Sequence, residues 1–383
     1  MYIENIIDNM KKKLAIIGAS YLQQPLVEKC KEMGVYSICF AWEEGAVCKD
    51  LCDKFYPIST IDKDDILKVC LEEKIDGITT IASDVATLTV NYVAEKMGLI
   101  GNLDKYSQTA TNKYLMRQCF MENGVPSPKF CLTDGEVPMA ISTFRFPIIV
   151  KPTDRSGSRG VEKVEKQEDL QEAINRACNE SFQKKAVIEE FVEGREISVE
   201  SISYKGKHYV LQITDKVTTE APFFVELEHH QPSSLPDDIK AKVRDIVLNA
   251  LEALHIQYGA SHSELKITKD GDIRVIEIGA RMGGDFIGSD LVKLSTGYDF
   301  LKGVIDVAFG EFEEPKLTDY KCSGVYFLCK ETESILPIIE NAGEYPEIVK
   351  AEVTDKTLRK IECSADRSGY FIYQANRRFN PFK

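Results

Sequence analysis

No apolar run in the 383-residue chain approaches the roughly 20 residues that a membrane-spanning helix needs. The opening residues, MYIENIIDNMKKK, place acids ahead of the lysines and carry no apolar stretch of the kind an export signal requires. The eleven cysteines are odd in number and contain no C-x-x-C pair, Cys48 and Cys52 being the nearest neighbours. Reduced thiols in a cytoplasmic setting, serving mostly as small core residues, are therefore expected, with no membrane association. A basic excess is also missing. The 48 Lys and Arg against 61 Asp and Glu leave a net charge of −13, which argues against non-specific nucleic-acid binding and still permits a local basic pocket for an anion. There is no internal repeat, low-complexity tract or basic-aromatic patch. The turn Gly18, Ala19, Ser20 falls short of G-x-G-x-x-G, so a dinucleotide site is not supported, although such a turn can hold a small anion. What remains is an ordinary globular composition, 43% apolar and 28% charged, long enough for two or three domains.

Along the chain, short apolar runs alternate with helical patterns through the first 111 residues. Strands are expected at 14–18, 36–40 and 77–81, and helices at 25–33, 61–73 and 85–97, which together predict a parallel α/β sheet. Thr111 and Asn112 can cap a helix over 113–123 that begins with Lys113. The strand FPIIVK ends on Lys151 and leads into Asp154-Arg155-Ser156-Gly157-Ser158-Arg159-Gly160. Such a loop between strands is either a plain flexible hairpin or a cover for phosphates, and its arginines with the preceding lysine favour the anion. Strands follow at 186–192, 195–200 and 208–214. Residues 221–236, APFFVELEHHQPSSLP, are expected as an unusual loop in which Glu226 and His229 could converge on a ligand. The other reading of that pair is a satisfied histidine beside a surface acid. A helix is expected over 237–255 and another over 300–309. Beyond them short strands (324–329, 370–373) and a helix near 334–341 form an α+β tail.

The stretch 259–285, GASHSELKITKDGDIRVIEIGARMGGD, carries the strongest signal. Two alternating runs flank Asp270 and Gly271, a hairpin-turn dipeptide. A two-residue turn there sets Glu264 opposite Glu277 and His262 opposite Gly279. Directly opposed carboxylates repel unless a cation lies between them or one stays protonated. Oxygen-only ligands suit Mg²⁺, which completes its shell with phosphate and water. Arg281 follows closely enough to reach the same phosphate. The alternative is a solvated hairpin whose glutamates never meet.

In order along the chain, Lys113 on its helix, FPIIVK with the Ser-Gly loop, VIEEFVEGREISVE and SELKITKDGDIRVIEIGAR resemble the motifs of the ATP-grasp superfamily of ligases over about residues 1–310. The resemblance implies an N-terminal parallel α/β domain (1–111), an ATP-grasp domain (112–310, lid about 115–188) with a larger antiparallel sheet, and a C-terminal α+β segment (311–383). It implies that Lys113 and Lys151 contact the ATP phosphates and that the loop with Ser156, Gly157, Ser158 and Gly160 covers them. Glu189, with the backbone of Glu190 and Val192, would line the adenine, and Glu196 would hold the ribose. Glu264 and Glu277 would bind Mg²⁺, with Mn²⁺ as a substitute, and Arg281 and Lys151 would act on the transferring phosphate. The segment Phe224, Val225, Glu226, His229 and Pro232 is similar to a motif of the L-amino-acid ligases, in which Glu226, His229 and Arg281 would meet the substrate. Two positions depart from these patterns. Gly279 stands where many members have a metal-binding asparagine, and Glu228 stands where glycine is usual. The expected activity is an ATP-dependent carboxylate–amine ligase working through an acyl-phosphate, and a homodimer is the expected assembly. The alternatives are a ligase like phosphoribosylglycinamide synthetase, a carboxylase of the biotin carboxylase kind, and a nucleotide-binding module without chemistry.

Overall fold

The computed structural model describes residues 11–155, 157, 159–219, 223–318 and 320–382. Four parallel strands, β1 (Lys13–Ile17), β2 (Tyr36–Phe40), β3 (Lys54–Tyr56) and β4 (Gly77–Thr79), form the first sheet in the order β3-β2-β1-β4. β1 explains the arrangement. Leu14 and Ile16 point into one core with Leu26 and Cys30 of helix α1 (Gln24–Glu32), while Ala15 and Ile17 point into another with Ile66 of α2 (Lys63–Glu73) and Val93 of α3 (Asp84–Met97). A strand buried on both faces must be apolar throughout, which is why LAII is an unbroken run.

After α4 (Asp104–Thr111), helix α5 (Lys113–Glu122) starts at Asn112, whose side chain accepts from the amides of Tyr114 and Leu115 at 3.0 and 3.1 Å. Such a cap contributes about 1 kcal/mol. Next comes an antiparallel sheet of β5 (Phe130–Thr133), β6 (Ile148–Pro152), β7 (Glu162–Val164) and β8 (Ala186–Glu190) in the order β5-β8-β6-β7. Helix α6 (Leu170–Glu180) closes one face of it with Leu170, Ala173, Ile174 and Ala177.

The third sheet has eight antiparallel strands: β9 (Arg195–Tyr204), β10 (Lys207–Thr218), β11 (Glu226–Gln231), β12 (Gly259–Ile267), β13 (Ile273–Gly279), β14 (Cys322–Leu328), β15 (Ile348–Val353) and β16 (Gly369–Ala375). Their order is β13-β12-β9-β10-β11-β14-β16-β15. Helix α7 (Asp237–Ala253) packs Val243, Val247 and Leu251 on one face beside Met116 and Phe120 of α5. After α8 (Val292–Thr296), helix α9 (Phe300–Phe309) brings Val304 and Ile305 into the core below β1. The strands after residue 311 pair into this same sheet, with β14 hydrogen-bonded to β11. The expected mixture of α/β and α+β parts is present, with one parallel and two antiparallel sheets.

Two local expectations are corrected. Residues 226–231 form an internal strand, between β10 and β14, and not a loop. The sequence ELEHHQ hides it, because a strand that turns polar side chains into a site lacks the apolar alternation by which strands are read. The hairpin turn also contains three residues. Thr268 O accepts from Gly271 N at 3.0 Å, Thr268 N donates to Asp272 O at 2.9 Å, and Gly271 takes φ +84°, the left-handed position of a three-residue turn. That shifts the pairing by one, so that Leu265 faces Val275. A β-bulge at Ile276 then restores the register, and Glu264 does face Glu277, as His262 faces Gly279.

All eleven cysteines are free thiols, six of them buried. No helix among the described residues is long and apolar enough to cross a membrane.

Candidate functional site

The bulge in β13 also ties this edge strand to α5. Val275 N donates to Pro126 O, Ile278 N lies against Met116 Sδ, and Arg117 donates to Ile276 O. Covering an edge in this way removes its unpaired backbone groups and fixes the strand against the helix that carries Lys113. Lys113 occupies the first turn of α5, where a cation opposes the helix dipole by a few tenths of a kcal/mol up to about 1. It is held there by Glu277 Oε1 at 2.6 Å and Arg155 O at 2.8 Å, charge-assisted contacts that outweigh the dipole.

One turn along α5, Arg117 is fully buried, its Nε 2.9 Å from Glu189 Oε1 and its Nη2 donating to Oε2 at 3.2 Å. Lys151 Nζ lies 2.8 Å from the same Oε2. Burial pushes the Glu189 carboxyl up, but the two cations outweigh it and hold it below the ordinary value. For Lys151 burial wins, and the ammonium titrates lower than usual. Removing one member of such a buried set costs about 3–5 kcal/mol, because the rest stay charged and uncompensated. Glu190 and Val192 line a cavity of about 480 Å³ with Lys129, Thr268 and Arg274.

Lys216 of β10 is the hub of the acidic side. Its Nζ lies 2.9 Å from Glu196 and from Glu264, and 3.3 Å from Glu226. Despite burial, these three carboxylates raise it well above the usual lysine value. His262 sits between Glu200, with which it pairs through Nδ1, and Glu264 Oε1 at 3.4 Å from Nε2. Burial pulls its pKa down, but Glu200 carries it up to about 9. Glu264 is correspondingly held well below the carboxylate range by Lys216 and His262.

Arg281 is clamped side-on by Asp84, the first residue of α3, with Nε donating to Oδ1 at 2.8 Å and Nη2 to Oδ2 at 3.1 Å. Burial opposes the charge on Asp84, and Arg281 overcomes it. The pair accounts for Gly279, since a Cβ there would collide with the Asp84 carboxylate and lie 3.0 Å from Arg281 Nε. The adjoining loop follows the same contact, with Ala82 at φ +56° donating its N–H to Met282 O at 3.1 Å. Gly283 is constrained too, because a Cβ would lie 2.7 Å from His262 Nδ1.

The structure thus pairs Lys113 with Glu277 and Lys151 with Glu189, joins Glu196, Glu226 and Glu264 through Lys216, and sets Arg281 on Asp84, with Gly160 packed against Pro152 and Glu180. Gly157 is in the left-handed region at φ +69°. Ser156 and Ser158 lie outside the described residues. His229 is buried one strand from Lys216, 4.0 Å from Asp285. Arg117, Lys216, Glu200, His262, Asp84, Asp285 and Arg367 were not singled out by sequence. Arg117 could have been found as the i+4 partner of Lys113, and Glu200 and His262 from alternation with Glu196 and Glu264. Nothing local marks Asp84 or Arg367.

A metal is tested by the donor set. Glu264 and Glu277 are direct cross-strand partners, about 30% exposed, and each already holds a lysine ammonium on Oε1. Among the described residues no three His, Cys, Asp or Glu side chains converge as a complete cation cage. Two facing carboxylates with no further side-chain ligand fit Mg²⁺, which takes its remaining ligands from phosphate and water.

A family model described as an ATP-grasp domain matches residues 144–290, the span from β6 through β13. The chain carries an ATP-grasp domain. Alanine–anticapsin ligase of Bacillus subtilis is 29% identical over 280 residues, 66% of this chain and 58% of that protein. The chain therefore spans a little over half the length of this relative. Among solved ATP-grasp structures, the L-amino acid ligase of Bacillus licheniformis superposes with a TM-score of 0.80 at 23% identity, covering 96% of this chain and 94% of that one. Phosphoribosylglycinamide synthetase of Anaerococcus prevotii does so with 0.76 at 21%, covering 96% and 95%. At these identities the superpositions show a shared fold and nothing finer.

Proposed function

We propose that the protein is an ATP-dependent carboxylate–amine ligase that acts on an amino-acid substrate. The observation that carries this reading is the facing pair Glu264 and Glu277, flanked by Lys113 and Arg281 on elements from different parts of the chain. The likeness to alanine–anticapsin ligase supports the amino-acid class. Residues 1–111 are read as the N-terminal domain, 112–310 as the ATP-grasp domain with its lid at about 115–188, and 311–383 as the segment that completes the ligase. The enzyme is read as cytoplasmic and as a homodimer.

In this reading Lys113 and Lys151 neutralise the phosphates of ATP under the loop containing Ser156, Gly157, Ser158 and Gly160. Glu189 holds Lys151 beside the adenine, the backbone of Glu190 and Val192 lines the base, and Glu196 meets the ribose. Glu264 and Glu277 hold Mg²⁺ or Mn²⁺. Bound there, the metal offsets phosphate charge and polarises the γ-phosphoryl group. The substrate carboxylate oxygen forms a bond to the γ-phosphorus as ADP leaves with the bridging electron pair. Arg281, oriented by Asp84, faces the charge that develops on the acyl-phosphate. The amine nitrogen then bonds to the carbonyl carbon, the carbon–oxygen bond to phosphate breaks, and the amine gives up its proton. Glu226 and His229 line the substrate end of this path.

Phosphate release from ATP and Mg²⁺ is measured with amino acids singly and in pairs, with phosphoribosylamine plus glycine, and with bicarbonate. Release only with amino acids, abolished in a folded Glu277→Gln variant, is the expected result. Release with phosphoribosylamine or bicarbonate instead, or an active Glu277→Gln variant, overturns the reading.

A further inference from the structure

Two residues past Gly283 the backbone enters the left-handed region at Asp285 (φ +51°) and Phe286 (φ +65°). This turn places the Asp285 carboxylate against a guanidinium from the far end of the chain. Arg367 Nη1 donates to Asp285 Oδ2 at 2.8 Å, and Nη2 donates to the Glu226 carbonyl at 2.9 Å and its Oε2 at 3.2 Å. The guanidinium lies flat over Phe327, 3.8 Å from the ring centroid, and His229 meets the same ring edge-on. Arg367 and His229 lie beneath, whereas the Asp285 and Glu226 side chains keep 23% and 24% of their surface. Tyr21 of the N-terminal domain comes close enough for the charges of Asp285 and Arg367 to act on its hydroxyl.

Charge and hydrogen bonding both indicate a cationic visitor. Glu196, Glu200, Glu226, Glu264 and Asp285 share Lys216, Arg367, the charged His262 and, at 3.8 Å from Glu196, Lys266, so the carboxylates exceed the cations by one. His229 is 1% exposed, and among the described residues neither ring nitrogen has a hydrogen-bond partner. A buried polar group without a partner is unfavourable until one is supplied. Its Nε2 is turned toward Asp285 Oδ2 at 4.0 Å, too long for a hydrogen bond and spannable by one N–H-bearing group touching both. Burial keeps this imidazole neutral against the pull of Asp285, so one ring nitrogen is an acceptor. Asp285, Glu226 and His229 then present three acceptors, matching the three donors of a primary ammonium.

We infer that Asp285 and Glu226, fixed by Arg367, bind the ammonium group of the amino-acid substrate, with His229 as the third acceptor. This rests on the ligase reading and adds Asp285 and Arg367 to it, as a binding residue and a positioning residue.

The test uses the full chain with ATP and Mg²⁺, measuring phosphate release with each common L-amino acid and with the matching acid lacking the amino group. Asp285→Asn is expected to raise the KM for the active amino acid at least tenfold with the KM for ATP unchanged, Asp285→Glu to recover part of it, and Arg367→Lys to fall between. A folded Asp285→Asn protein with the wild-type KM for its amino acid overturns the inference and leaves the ligase reading standing. Wild-type protein silent with every amino acid overturns the ligase reading and the inference with it. Where Asp285→Asn melts early, Glu226→Gln replaces it, with the same tenfold rise expected and an unchanged KM overturning the assignment.

Discussion

At position 279 the absence of a side chain is explained by a carboxylate from 195 residues away in sequence. Asp84 fills that space and spends both oxygens on one edge of Arg281. A guanidinium has five N–H donors. Two go to Asp84 and one, on Nη1, to Met282 O, which leaves one hydrogen on each Nη for a substrate oxygen. Asp84 therefore aims Arg281 and does not silence it. Displacing a catalytic group by an ångström costs roughly 10²-fold in rate, so Asp84→Asn is expected to lower kcat by about that factor with the KM for ATP little changed. Gly279→Asn, which restores the residue common elsewhere in the superfamily, is expected to lose activity comparably, because its side chain meets Asp84. Steady-state kinetics of the two variants decide this, and wild-type kcat in Gly279→Asn would contradict it.

Among the elements, the hairpin β12–β13 and the strand β11 differ in how legible they were. Asp-Gly between alternating runs marked the hairpin, and the facing glutamates followed, although by a three-residue turn and a compensating bulge where a two-residue turn was expected. Turn length and bulge are set by the packing of Arg117 and Met116 against β13, which the hairpin's own residues do not encode. β11 carries no apolar alternation, because its buried positions are polar, and so it gives no strand signal. Its two histidines have a thermodynamic consequence. Burial lowers the pKa of His229, despite Asp285 and Glu226 and with Lys216 adding to the fall, and likewise that of His230, despite Glu228 and with Arg378 adding to it. The unfolded chain then takes up protons first, so the contribution of these two imidazoles is full above the ordinary histidine value of 6.5 and declines as pH falls through it toward the folded values. His262, raised to about 9, has the opposite sign: its contribution is full below 6.5 and is lost as pH rises toward 9. Burial pushes the Asp285 carboxyl up, but Arg367 outweighs it and holds the group below the ordinary carboxyl value, so it stays charged across that window. Thermal melts between about pH 6.5 and pH 5, below the range in which His262 loses its stabilising charge, are expected to show Tm dropping, with a shallower slope in His229→Gln. A flat profile in the wild type would show that the imidazoles are not buried neutral.

On the scale of the whole molecule, the site is assembled from all parts of the chain. Helix α3 beside the parallel sheet supplies Asp84, α5 supplies Lys113 and Arg117, the large sheet supplies the glutamates and Lys216, and the last 20 residues supply Arg367. The fold class was legible because alternation of strand and helix, and motifs in a fixed order, survive in local sequence. Contacts such as Arg281 with Asp84 and Asp285 with Arg367 were not, because they join segments 197 and 82 residues apart and each partner alone resembles an ordinary surface charge. The central claim is that the carboxylate is activated by direct phosphoryl transfer before the amine attacks. Oxygen-18 placed in the carboxylate of the active amino acid tests it. One labelled oxygen carried into the released phosphate, alongside ADP, is the predicted result, and phosphate free of label would contradict it.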